Sequence, residues 1–381
     1  MFYKIINVKY QFLFIIFLIF LFCEITTAQD EGEIIVETLD ADSDSTVDRS
    51  LSFNGYPYAY YTPETELAFG VGGIFIFYTS DHIDMLPSKV TLSGWYSTNG
   101  QYNISFKPVI YFSHNKVYLE FPFSFGHYVD KFWGIGNNTI DTGNEQYTLN
   151  DISATLTFQV PPIMFSADRT GIIFDYNDTK IEDKENNIYL LDNEVVGSNG
   201  GTIYGFGTDL VWDTRDNLFF PNSGGYQYFK FVVYPELGDY VFYTFEIDAR
   251  YYKSFSPDHV IASNFYFAQA LGDVPFYRLP ALGGQNRMRG YFEGRYRDRN
   301  YMTLQLEYRQ YFWWRFGFVV FAGAGDVASE LTKFSLNDLK YSYGFGIRFL
   351  FNKEEKVNLR MDIGFGIDGN TGLYFGIEEA F

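Results

Sequence analysis

The sequence predicts an all-β chain: a sixteen-stranded antiparallel transmembrane β-barrel. Three observations carry that expectation. Hydrophobicity alternates with period two from about residue 51 onward, the apolar faces are dense in large aromatics while the opposite faces carry charges in mid-strand, and the N-terminus has the form of an export leader. Aromatic residues make up 21% of the 381 positions, with 42 Phe and 33 Tyr. That surplus is far from ordinary globular usage and suits a sheet whose outer face meets lipid. A secreted soluble β-protein would alternate too, but it would place its charged face in water and rarely needs strands of this length.

The one long apolar run is FLFIIFLIFLFC, residues 12–23, shorter than the roughly 20 residues of a spanning helix. Lys4 and Lys9 precede it, and Thr26 and Ala28 supply small residues before a cut. Residues 1–28 therefore read as a signal peptide. Bulky Phe22 argues against a lipoprotein cut at Cys23, and cleavage removes this only cysteine, so disulfides and thiol–metal sites drop out. Residues 29–50 are acidic and lack aromatics, as a disordered tether does. Within it Asp40, Asp42, Asp44 and Asp48 have the early spacing of a calcium loop, but Ser45 replaces the turn glycine and Leu51 the bidentate Glu. A solvated tether is the better reading.

Residues 51–381 form the barrel. The expected strands are 52–61, 65–78, 86–99, 101–113, 115–128, 147–160, 162–176 and 201–213, then 224–235, 239–252, 258–271, 300–312, 314–325, 338–351, 355–366 and 372–381. In residues 302–309, Met302, Leu304, Leu306 and Tyr308 share one face, and Thr303, Gln305, Glu307 and Arg309 the other. Tyr341, Tyr343, Phe345, Ile347 and Phe349 oppose Ser342, Gly344, Gly346 and Arg348; Val357, Leu359, Met361, Ile363 and Phe365 oppose Asn358, Arg360, Asp362 and Gly364. An even count puts both ends on the periplasmic side. The turns at Pro161–Pro162, near 222 and near 256 then fall there too, and the long connections 129–146, 177–200 and 272–299 all fall outside.

The chain finishes YFGIEEAF, with Tyr374, Gly376 and terminal Phe381 on an alternating last segment. This resembles the C-terminal signal that assembly machinery reads in Gram-negative outer-membrane proteins. Glu379 departs from it, standing where an apolar residue is usual.

Residues 283–300, GGQNRMRGYFEGRYRDRN, hold five arginines in a chain of formal net charge −19. With MRGY at 288–291, DTRDNLFFPNSGG at 213–225, FWGIGNN at 132–138 and YTPETELAFG at 61–70, the chain resembles the bacterial surface antigen family of sixteen-stranded barrels, which includes BamA, TamA and the two-partner secretion transporters. The resemblance covers about residues 55–381. It implies that the longest external loop folds back into the lumen with Arg289, Gly290 and Tyr291 at its tip, and that Arg289 pairs with acids from the next two strands. Glu307 occupies the first such position. The second is Gly323 here, and Asp326 lies near it on the other parity, so a single bridge is expected. Gly317, Gly323 and Gly325 share the inward face and leave room for the loop. Arg295, Arg297 and Arg299 are solvated loop charges or partners of lumenal acids. Nucleic acid is excluded by the acidic chain and the external location.

The resemblance places the protein in the outer membrane of a Gram-negative bacterium. Its implied partners are outer-membrane lipids, the outer-membrane assembly machinery and periplasmic or envelope proteins. POTRA domains, which receive clients in BamA-type barrels, have no counterpart in the residues ahead of the first strand. Three functions are then open. The barrel assists insertion or export through a seam between its first and last strands, with which Gly366, Gly372 and Gly376 are compatible; or it is a structural surface barrel or loop-plugged channel without insertase activity; or it is an enzyme barrel. The four histidines, His82, His114, His127 and His259, accompany no nucleophile motif. No enzyme, cofactor or metal site is expected.

Overall fold

The computed structural model describes residues 51–80, 85–162, 167–191, 194–256, 258–352 and 356–381. The leader, the acidic tether with its aspartate spacing, and His82 lie outside the described residues. The strands are β1 (Ser52–Thr62), β2 (Glu66–Phe77), β3 (Ser88–Ser97), β4 (Tyr102–Phe112) and β5 (Val117–Glu120, resuming as Phe123–Lys131). There follow β6 (Gln146–Val160), β7 (Arg169–Glu182), β8 (Gly200–Asp213), β9 (Ser223–Tyr234), β10 (Phe242–Ser256) and β11 (His259–Gly272). The last are β12 (Asn300–Trp313), β13 (Phe316–Ala328), β14 (Lys340–Asn352), β15 (Val357–Gly366) and β16 (Thr371–Ile377). Both pieces of β5 pair with the same neighbours, β4 and β6, so they count as one strand interrupted at Phe121–Pro122. Each strand pairs antiparallel with the next, and β16 returns to β1: a closed sixteen-stranded barrel.

Its polarity is the inverse of a soluble sheet. On β12, Gln305, Glu307 and Arg309 are 3%, 1% and 1% exposed, whereas Leu304 and Leu306 are 51% and 52% exposed. On β14, Arg348 is buried and Tyr341, Tyr343 and Phe345 are exposed. Apolar side chains outside and a polar lumen inside are what a lipid-facing barrel requires, because closure satisfies every backbone group without water. At the rim carrying the chain end, the β12–β13 turn projects Trp313 and Trp314 outward, with Trp313 stacked on Phe316 at 5.8 Å.

The long connections cluster on the opposite, outer rim. Phe132, Leu190, Phe276 and Leu279 from three of them pack with inward Tyr147, Tyr234 and Phe242 into one apolar core. Phe132 and Phe276 meet at 4.6 Å, and Tyr234 stacks on Phe242 at 4.1 Å. This core covers the outer end of the lumen beneath the loops.

Several boundaries differ from expectation; β10, for example, runs on to Ser256 where 252 was expected. β7 runs Arg169–Glu182 where 162–176 was expected: its alternation of inward Gly171, Ile173 and Asp175 against outward Ile172 and Phe174 continues through inward Asn177, Thr179 and Ile181. β16 ends at Ile377: Glu378 takes φ +68°, and the remaining residues turn into the lumen instead of finishing the strand. Phe381 there packs with Tyr252 and Ala262 from β10 and β11.

Candidate functional site

The loop between β11 and β12 enters the lumen and is held by a two-residue ladder, Ala281–Leu282 against Tyr296–Arg297. Its tip is Met288–Tyr291. Gly290 has φ +113°, a conformation only glycine adopts freely, and a Cβ there would stand 2.7 Å from the Phe365 backbone. The tip thus lies against β15, opposite another glycine: a Cβ on Gly364 would stand 2.6 Å from the Arg289 carbonyl carbon. Glycine on both surfaces sets this approach.

Arg289 is fully buried. Its Nη2 donates to Glu307 of β12, and its Nη1 donates to Asp362 Oδ2 of β15 at 2.6 Å. Its guanidinium carbon lies 3.6 Å over the Phe321 ring of β13. The expectation of a single bridge is corrected: a second acid is present, on β15, two strands beyond the Gly323 position on β13. Gly323 has a different use, since a Cβ there would stand 3.2 Å from Met288 Sδ, so its missing side chain makes room for the tip. Asp326 lies on the other parity and accepts from Asn137 Nδ2 at 3.1 Å.

The pairs extend into an alternating chain of charge. Arg309 Nη2 reaches Glu307 at 2.8 Å, Arg348 Nη1 reaches Asp362 at 2.5 Å, and Arg348 Nε reaches Glu379 at 2.8 Å. Arg309, Glu307, Arg289, Asp362, Arg348 and Glu379 therefore alternate in sign across β12, the tip, β15, β14 and the C-terminal tail. Buried charges persist only when paired in this way. Glu379, the departure from the terminal pattern, serves as a lumenal counterion, with Asn358 Nδ2 donating to its other oxygen at 2.9 Å.

The other sequence-selected residues converge here. The Tyr374 hydroxyl accepts from Gly290 N–H at 3.0 Å and donates to the Tyr291 carbonyl at 3.2 Å. Tyr291 donates to the Tyr341 carbonyl at 2.8 Å and accepts from Ile367 N–H at 2.9 Å. Gly376 faces Arg360 and Gln285. Phe381 sits under Arg309, whose Nη2 donates to the Phe381 backbone oxygen at 2.7 Å. Tyr374 and Phe381 are thus lumenal contacts in this structure and do not face lipid. Of the remaining arginines, Arg297 lies 3.7 Å from Asp130, Arg295 donates to Thr139, and Arg299 is exposed. The FWGIGNN segment packs on the same loop, Gly136 N–H bonding the Arg297 carbonyl at 2.9 Å. His127 pairs with Asn150 and His259 with Tyr308.

Residues 87–381 match the Omp85 superfamily domain. The chain belongs to the Omp85 superfamily. Among solved structures, this Omp85 barrel resembles BamA from Haemophilus ducreyi lacking POTRA domains 1–3, with TM-score 0.60 and 14% identity over 87% of this chain and 70% of that one. It also resembles CdiB from Acinetobacter baumannii (TM-score 0.55, 13% identity, 85% of this chain, 59% of that one). CdiB from Escherichia coli is similar (TM-score 0.56, 12% identity, 85% and 62%). The chain spans less than two thirds of either CdiB chain. At these identities the likeness is one of fold. No curated protein sequence shows significant similarity to it.

Sequence reasoning missed Asp362, Arg348 and Arg309. All three were on inward faces, and inward parity was the available signal.

Proposed function

We propose that this barrel resides in a Gram-negative outer membrane and assists insertion or export of other envelope polypeptides, receiving them at the seam between β1 and β16. The observation that supports this is the pairing at the seam. β1 and β16 share one Cα pair, Tyr61 with Phe375, whereas β15 and β16 share seven and β1 and β2 eleven. β1 therefore offers Ser52–Tyr60 as a strand edge without ladder partners on that side. A free edge is a template for another strand. The tail turns away from it into the lumen, held by Arg348 and Arg309. Outer-membrane lipids against the apolar belt, assembly machinery and envelope polypeptides are the partners this reading requires.

The test locks the seam. Tyr61→Cys with Phe375→Cys, which face each other in register, forms a disulfide in cells. The locked protein is expected to reproduce the effect of depletion, a broad loss of other barrels from the outer membrane, and reductant to reverse it. An unchanged outer-membrane profile on both locking and depletion sinks the reading. The buried loop also suits a plugged channel; conductance of the purified barrel with and without residues 283–299 separates the two.

A further inference from the structure

The inner wall beside the seam is paved with aromatic rings. Gly70 and Gly72 of β2 face the lumen without side chains; a Cβ on Gly70 would run into the Tyr58 ring, and one on Gly72 would stand 2.9 Å from the Tyr56 ring. Tyr128 lies over Gly126 in the same way, 2.7 Å from its notional Cβ. Rings laid across bare backbone present their faces to the lumen. The Tyr58 and Tyr60 rings run nearly parallel, with centroids 6.3 Å apart and planes 21° apart. Tyr60 then meets the edge of Trp95 at 5.7 Å, and Trp95 that of Tyr128 at 6.2 Å.

Between this paving and the inward loop lies a cavity of about 350 Å³, at the small end of the ~300–1,000 Å³ usual for ligand sites. Its walls add paired hydroxyls, Ser93 and Ser105 at 2.6 Å, the amides of Asn103 and Gln285, and the carboxyls of Glu64 and Glu293. None of its lining residues is Lys or Arg, so nothing there balances a phosphate or carboxylate ligand. An apolar ligand would strip water from the hydroxyls, amides and carboxyls without replacing it. The carboxyls invite a cation only weakly. Glu64 Oε1 already accepts the Glu293 N–H at 2.7 Å, and desolvation in the crowded barrel mouth pushes the Glu64 carboxyl up to about 7. Ring faces bordered by hydroxyl, amide and carboxyl groups match a ligand with apolar C–H faces and a rim of hydroxyls.

We propose that this cavity binds one unit of a neutral saccharide, its C–H face on Tyr58 and Tyr60 and its hydroxyls on Asn103, Ser93 and Glu293. The site uses the lumenal side chains of β1, not the backbone edge of that strand proposed to receive polypeptides. The experiment uses the purified, folded chain in a polyoxyethylene detergent, which carries no sugar headgroup. Saturation-transfer NMR is run with trisaccharides of glucose, galactose, mannose and N-acetylglucosamine, with glucose 6-phosphate and trilysine as charged competitors. Transfer to at least one neutral trisaccharide is expected, with affinity weakened about ten-fold by Asn103→Ala and by Tyr60→Ala, and retained in Tyr60→Phe. Heat-modifiable gel migration verifies the fold of each variant, and Asn103→Ala carries the comparison if Tyr60→Ala does not fold. No transfer to any of the four, equal transfer in the variants, or displacement by trilysine or glucose 6-phosphate overturns the proposal.

Discussion

Arg289 bridges Glu307 and Asp362 across the lumen, tying the tip of the inward loop to β12 and β15 at once. One guanidinium can do this because its two Nη groups point to different acceptors in a fixed plane. Removing either acid leaves a buried charge short of a partner. Asp362→Asn or Glu307→Gln is expected to destabilise the barrel by about 3–5 kcal/mol, read from unfolding followed by gel mobility. Arg289→Lys should not restore the parent, since an ammonium offers no planar fork. The double variant should cost less than the sum of the singles, because both remove contacts of one group. Parent-like unfolding of Asp362→Asn would show that the second acid is idle.

The tip's seat on β15 is steric as well as electrostatic. Gly364→Ala places a methyl 2.6 Å from the Arg289 backbone and is expected to lift the loop from the wall. Residues 283–299 should become sensitive to external protease, and conductance should rise. Gly376→Ala is the control, because a Cβ there meets nothing nearer than Arg360 at 3.5 Å. If both variants resist protease as the parent does, glycine is not what seats the tip.

The C-terminal tail is held by a pair that can be cut without touching the loop. Glu379→Gln weakens the contact to Arg348, and faster hydrogen exchange is expected across 378–381 while β16 stays protected. Unaltered exchange in the tail would mean that the packing of Phe381 with Tyr252 and Ala262 suffices alone.

Acidity should tighten the outer contact between the loop and the β1–β2 turn. The Glu64 carboxyl sits up at about 7, above the ordinary carboxylate range, through desolvation, so the folded state holds its proton longer than the unfolded chain. Its stabilising share is complete below the ordinary carboxylate range and is lost as pH rises through about 7. Exchange protection of the Glu293 amide should therefore fall between pH 5 and pH 8, and Glu64→Gln should flatten the change. A slope that survives Glu64→Gln would assign the titration to another group, with Glu293 itself and Asp130 the nearest acids in this part of the mouth.

Much of this was legible in the chain. Period-two alternation named the inward faces of β12, β14 and β15, and burial at Gln305, Arg348 and Asp362 follows those faces residue by residue. The tip residues and Glu307 were picked out by resemblance, and the structure brings them into contact. Asp362 was not picked, although it was the one acid on the correctly assigned face of β15, because nothing along the chain says that β15 closes against the loop tip. The end of β16 was misjudged for a related reason. IEEAF alternates well enough to continue a strand, and only the lumenal arginines draw Glu379 and Phe381 inward.

What the sequence determined alone was therefore the set of strands and the face each residue shows, since both follow from backbone geometry and the contrast between lipid and water. Which lumenal groups meet was decided by tertiary structure. Closure and register bring β12, β14 and β15 around one buried guanidinium, and that pairing depends on distances across the barrel that no spacing along the chain encodes.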